Sequence, residues 1–105
     1  MTPYIVVLIT VKDKAQGKRI ASALLTKKLI ACANMIGPIE SMFWWQGKID
    51  HGKEQLLILK TKKILFTKLS KEVKALHCYQ TPEIIALPMV AVDRAYSKWI
   101  GENVC

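Results

Sequence analysis

Arginine is scarce in this 105-residue chain: Arg19 and Arg94 are the only two, so the excess of 16 basic over 8 acidic residues is carried by 14 lysines. Lysine is a point charge without the planar fork that grips phosphate, so the +8 net charge alone does not specify a nucleic-acid partner. Glycine and proline are sparse, at 5 and 4, which excludes collagenous or linker-rich chains. The glycines stand singly, and no G-x-G-x-x-G or P-loop cradle for a nucleotide phosphate occurs. The three cysteines, Cys32, Cys78 and Cys105, are odd in number, far apart and without a C-x-x-C, so neither a disulfide framework nor a four-ligand zinc site is written. No apolar run approaches the ~20 residues of a membrane span, and no basic leader opens the chain. These absences point to a cytoplasmic protein with reduced thiols and no membrane partner.

What is present is apolar. At 51%, the apolar fraction slightly exceeds the usual ~45–50%, in a chain with room for one domain over residues 1–105 and one small core. Residues 4–11 form a β-branched run that reads as a central strand. Over 15–28, Ile20, Ala21, Leu24 and Leu25 share one helical face, with Asp13 as cap. Residues 30–34 and 39–45 predict extended chain broken at Gly37-Pro38, and Gln46-Gly47 a hairpin turn. The return over 48–61 is expected to be interrupted by a bulge or loop at residues 50–53. Leu65, Phe66, Leu69, Val73 and Leu76 space a second helix with Lys68, Lys71 and Lys74 outside. A last strand is predicted over 84–92, with Pro88 demanding an edge, and a closing helix over 95–103. The order is an α+β fold, a ferredoxin-like βαββαβ sandwich with an extra C-terminal helix. Two helices cover one sheet face, yet the strands send apolar groups both ways, so the open face predicts a homo-oligomer.

The densest group of chemical residue types is His77, Cys78, Tyr79, Gln80, Thr81, Pro82 and Glu83, where the second helix turns into the last strand. Imidazole beside thiolate suits copper or zinc, so His77 and Cys78 are the metal candidates. The competing expectation is a histidine closing the helix through its last carbonyls. A Cys–His catalytic pair needs a third residue to orient the imidazole, and adjacent side chains diverge, so no enzyme is expected. His51 reads as a solvated turn residue. Trp44 and Trp45 could stack bases, but the flanking apolar runs favour sheet core, and Leu56 to Lys60 lacks the aromatics of an RNA-recognition strand; specific nucleic-acid binding is not expected. An acylphosphatase-like enzyme would need an arginine after the first strand, where Lys12, Asp13 and Lys14 stand instead.

Several of these residues, in order and spacing, resemble the CutA family of divalent-cation tolerance proteins. They are Cys32-Ala33-Asn34, the run from Phe43 to Ile49 through Trp44, Trp45, Gln46, Gly47 and Lys48, then Glu54, Lys60-Thr61, His77 through Ile84, Pro88, and Tyr96-Ser97-Lys98-Trp99. The resemblance implies a ferredoxin-like homotrimer similar in architecture to PII signalling proteins, linked to tolerance of copper or another divalent cation, with no organic cofactor and no established catalysis. It implies a ligand cleft around Trp45, Glu54, Lys60, His77, Tyr79 and Glu83 near subunit junctions. An alternative is a PII-like signalling or interaction scaffold that binds an anion or an unknown protein partner without a metal. This chain departs from the family at Cys78 and Gln80, where His-Pro-Tyr-Glu is usual, and at Ile9, where some bacterial relatives carry a cysteine linked to copper.

Overall fold

The computed structural model describes residues 2–105. Strand β1 (Tyr4–Val11) buries Ile5, Val7, Ile9 and Val11 and leaves the alternate residues half-covered, the period of two expected of a pleated strand. Helix α1 (Lys14–Thr26) starts at Asp13, whose carboxylate accepts the Gln16 N–H at 2.8 Å and satisfies one of the unpaired donors of the first turn. Its buried face is Gln16, Gly17, Ile20 and Leu24. Leu25, expected on that face, is 43% exposed, because the sheet contacts a narrower stripe centred on the 16–20–24 row.

Strand β2 (Cys32–Trp45) and β3 (Lys48–Lys62) form one long antiparallel hairpin. Gln46 and Gly47 turn it with φ of 49° and 77°, a left-handed pair whose twist matches the flanking strands. The break expected at Gly37-Pro38 is a register shift between Ile36 and Ile39 within a continuous strand. Residues 50–53, expected to bulge or loop, are regular strand: Asp50, His51, Gly52 and Lys53 lie opposite Phe43, Met42, Ser41 and Glu40. Backbone pairing across the hairpin satisfies their polar groups despite a turn-like composition.

A 3₁₀ turn (Lys63–Leu65) leads into α2 (Phe66–Leu76), followed by β4 (Ile84–Pro88) and α3 (Arg94–Asn103). The last strand is shorter than the predicted 84–92 and ends on Pro88, which lacks the N–H to continue a ladder. The sheet order is β2-β3-β1-β4, with β1 antiparallel to both neighbours and β4 at an edge. The main core lies between this sheet and α1 and α2, where Val7, Ile9, Leu57 and Leu59 meet Ile20, Leu24, Leu69 and Val73. Lys27 and Glu72 bridge the two helices at 2.6 Å across an exposed surface.

β1 pairs with β3 only as far as Gln55, opposite Val11. Residues 39–45 and 48–54 therefore pair only with each other, an arm of about 23 Å at the usual rise per residue. The molecule is 44 Å long and 26 × 23 Å across. Trp44 and Trp45 sit at the arm's end, 74% and 53% exposed, on opposite faces; they are not core within this chain. No helix among the described residues is long and apolar enough to cross a membrane.

Candidate functional site

The corner where β1 ends, α1 begins and α2 hands over to β4 collects most of the polar groups buried in the chain. Helix α2 stops at His77, whose backbone N–H still reaches the Val73 carbonyl at 2.8 Å while its own φ and ψ become extended. The side chain turns inward and is buried. Its Nδ1 accepts the Tyr79 N–H at 3.1 Å, so the ring proton resides on Nε2, which donates to the Thr10 carbonyl at 2.8 Å. Both ring nitrogens are thus engaged by backbone groups. The helix-closing role expected of His77 is taken by its main chain, and the imidazole staples the loop to β1.

Cys78, the next residue, is exposed and donates to Gln16 Oε1 at 3.3 Å. Gln16 is only 3% exposed and its Nε2 has no hydrogen-bond partner among the described residues. Tyr79 folds back over the His77 ring, centroids 4.6 Å apart, and its hydroxyl donates to Glu54 Oε2 at 2.9 Å. Burial, the bond to the Glu54 carboxylate and the negative charge of Glu54 together push the Tyr79 phenol well above the usual tyrosine range. Glu54 is the point where the arm leaves the body of the sheet, and the Tyr79–Glu54 bond ties loop to arm.

The remaining candidates lie elsewhere. Lys60 is six residues further along β3, about 20 Å from Glu54, where it bonds the Asn34 side chain and approaches Cys32 Sγ at 4.0 Å. Tyr96, stacked on Trp99 at 5.5 Å, adjoins this second group, and burial together with Cys32 raises its phenol. Trp45 lies opposite Lys48, ~20 Å from Glu54 in the other direction, at the arm's end. Glu83 is exposed in the loop before β4. One chain therefore unites His77, Cys78, Tyr79 and Glu54 and separates Trp45 and Lys60 from them.

As a cradle for a resident metal ion, the corner of a single chain does not fit. The imidazole of His77 has no free nitrogen, and no group of three His, Cys, Asp or Glu side chains able to hold an ion occurs among the described residues. Gln16 belongs to the corner although its residue type did not mark it; its place four and eight residues before Ile20 and Leu24 on the buried helical row is the signal that finds it.

A family model described as "CutA1 divalent ion tolerance protein" matches residues 5–103. The chain belongs to the CutA1 family. Among curated CutA relatives, the divalent-cation tolerance protein of Thermus thermophilus is 44% identical over 98 residues, covering 93% of this chain and 95% of that one. The chloroplastic CutA 1 of Oryza sativa is 45% identical over 101 residues, covering 96% of this chain. This chain spans only 57% of that rice relative's length. The fold of the solved rice CutA1 superimposes with a TM-score of 0.96 at 42% identity, covering 99% of this chain and 95% of that one. The solved CutA1 of T. thermophilus gives 0.95, also at 42% identity, covering 97% and 99%. CutA relatives include proteins named as chloroplastic, in Oryza sativa, and as periplasmic, in Archaeoglobus fulgidus, so family membership does not set the compartment.

Proposed function

We propose that the protein serves divalent-cation tolerance as a homotrimer whose subunits meet through the open sheet face and the hairpin arm. The observation that carries this is a band of exposed apolar side chains on that face: Ile36 at 52%, Phe43 at 41%, Trp45 at 53%, Ile85 at 45% and Leu87 at 46%. A chain of 105 residues that left this band in water would carry an apolar patch of the kind soluble proteins cover with a partner. An arm of about 23 Å is long enough to carry Trp45 out of its own subunit and onto the corner of the next. Such an exchange would bring Trp45 to Tyr79, Glu54 and Glu83 at each subunit junction, a residue that one chain by itself keeps apart from its own Tyr79–Glu54 pair. No catalytic role is proposed, because the His77 ring has no nitrogen left to activate Cys78.

Copper or another divalent cation is proposed to meet the protein through Cys78, the exposed member of the His77–Cys78 pair, with further donors from a neighbouring subunit. The compartment proposed is the cytoplasm, supported by three unpaired thiols. Calorimetric titration with Zn(II), a redox-inert divalent probe, tests the contact. A stoichiometric heat is expected in the wild type and in His77→Ala, and its loss in Cys78→Ser. A heat unchanged by Cys78→Ser, or none in the wild type, overturns the thiol contact; the second outcome is what a PII-like scaffold without a metal gives.

A further inference from the structure

The arm has a second face, opposite Phe43 and Trp45, which carries Met42 and Trp44 across from His51 and Ile49. There Met42 stands directly across from His51 in the antiparallel ladder, and Glu40 precedes Met42 by two residues on the same face, diagonal to His51 and opposite Lys53. These four side chains, with Ser41 and Gly52, line an open groove of about 330 Å³. Directly opposed residues hold their Cβ atoms about 4.5–5.5 Å apart, so an imidazole and a thioether on one face can close on a single ion. Met42 is 73% exposed and His51 is exposed too. Unlike His77, the His51 ring has no hydrogen-bond partner among the described residues, while its backbone N–H donates to the Asp50 side chain.

We propose that Met42 and His51 form a cation site for a soft monovalent ion of the Cu(I) or Ag(I) type. The donor chemistry makes the selection. A thioether is a soft ligand that hard ions such as Mg(II) or Ca(II) decline, imidazole suits copper, and monovalent copper is content with a low coordination number. Glu40 supplies a carboxylate at diagonal distance, about 7–8 Å between Cα positions, within reach of its flexible side chain. Its direct partner Lys53 offsets that negative charge, which further disfavours a divalent ion. The strands are held in register by the hairpin turn at Gln46 and Gly47, so the ligand pair is fixed by the ladder and not by a mobile loop. No cysteine takes part, and the site is independent of Cys78.

The test removes the thiols so that the two sites cannot be confused. In a full chain carrying Cys32→Ser, Cys78→Ser and Cys105→Ser, with methionine methyl groups labelled with carbon-13, Ag(I) serves as a redox-inert probe. The Met42 methyl and the His51 ring protons are expected to shift together and saturate at one ion per chain, while Met35 and Met89 stay in place. Met42→Leu and His51→Gln should each weaken binding roughly tenfold or more, a loss that removing even an outer-shell partner causes at metal sites. If the triple variant loses its circular dichroism, the same titration is run on wild-type protein with its thiols capped as methyl disulfides. A Met42 methyl that stays still, or a His51 shift that survives Met42→Leu unchanged, overturns the proposal.

Discussion

At the scale of single residues, the corner shows how one hydrogen bond sets what a side chain can do. Sequence places His77 beside Cys78 and suggests a ligand pair, yet the Thr10 carbonyl that occupies Nε2 lies 67 residues earlier in the chain. No local pattern reports such a partner, which is why the cluster of polar residue types was legible while the state of its imidazole was not. Tyr79 makes the same point through its phenol, which burial and Glu54 hold in the protonated form. A proton held more tightly in the folded than in the unfolded chain contributes stability that is complete below the unfolded tyrosine pKa, about 10. As pH rises past that value the unfolded phenol ionises first, so this contribution declines toward the higher folded pKa. Urea unfolding of wild type against Tyr79→Phe is therefore expected to show a stability difference that is constant near neutrality and shrinks above pH 10. A difference independent of pH through that range would show that Glu54 and burial do not perturb the phenol.

At the scale of elements, the readable parts were those whose burial has a simple period. β1 announced itself through β-branched residues, and α2 through Leu65, Leu69, Val73 and Leu76, three of which are buried in the core cluster or at its margin with the fourth packed against it. The arm was read in its outgoing strand and its Gln46-Gly47 turn but not in its return, because Asp50 and Gly52 mimic a turn where the ladder is regular and neither face is covered to give an alternation. Its root was partly legible. Gly37 and Pro38 mark the place where β2 slips register, and there the Gln55 amide fills the position a Cβ on Gly37 would need. Gln55 is itself buried, at 8% exposure, so its amide must leave a packed position to admit a side chain there. Gly37→Ala is accordingly expected to cost about 1–3 kcal/mol, the usual range for overpacking, measured as a lowered urea midpoint with an unchanged slope. An unchanged midpoint would mean that the amide relocates freely and that the bulge tolerates a side chain.

At the scale of the whole molecule, the sheet is asymmetric: one face meets α1 and α2, and the other presents Ile36, Ile85 and Leu87 beside a protruding arm. The asymmetry was legible in the excess of apolar residues and the two-sided strands, while the reach of the arm was not, since a length of pairing beyond the body is a property of topology. The expected assembly is a trimer with three times the 11.9 kDa mass of one chain in light scattering at micromolar concentration. Leu87 is the better probe of it, because it lies on β4, away from the arm and the corner, and its side chain points to the open face opposite Val6. In a free monomer Leu87→Glu would place a carboxylate on an exposed surface with little effect on folding. In the trimer the same carboxylate would be buried without a partner, at a cost of several kcal/mol per subunit. The substitution is therefore expected to yield a folded monomer with the circular dichroism of the wild type and one third of its mass. A wild-type mass equal to that of one chain removes the assembly altogether, and a trimer that survives Leu87→Glu moves the interface off the open face.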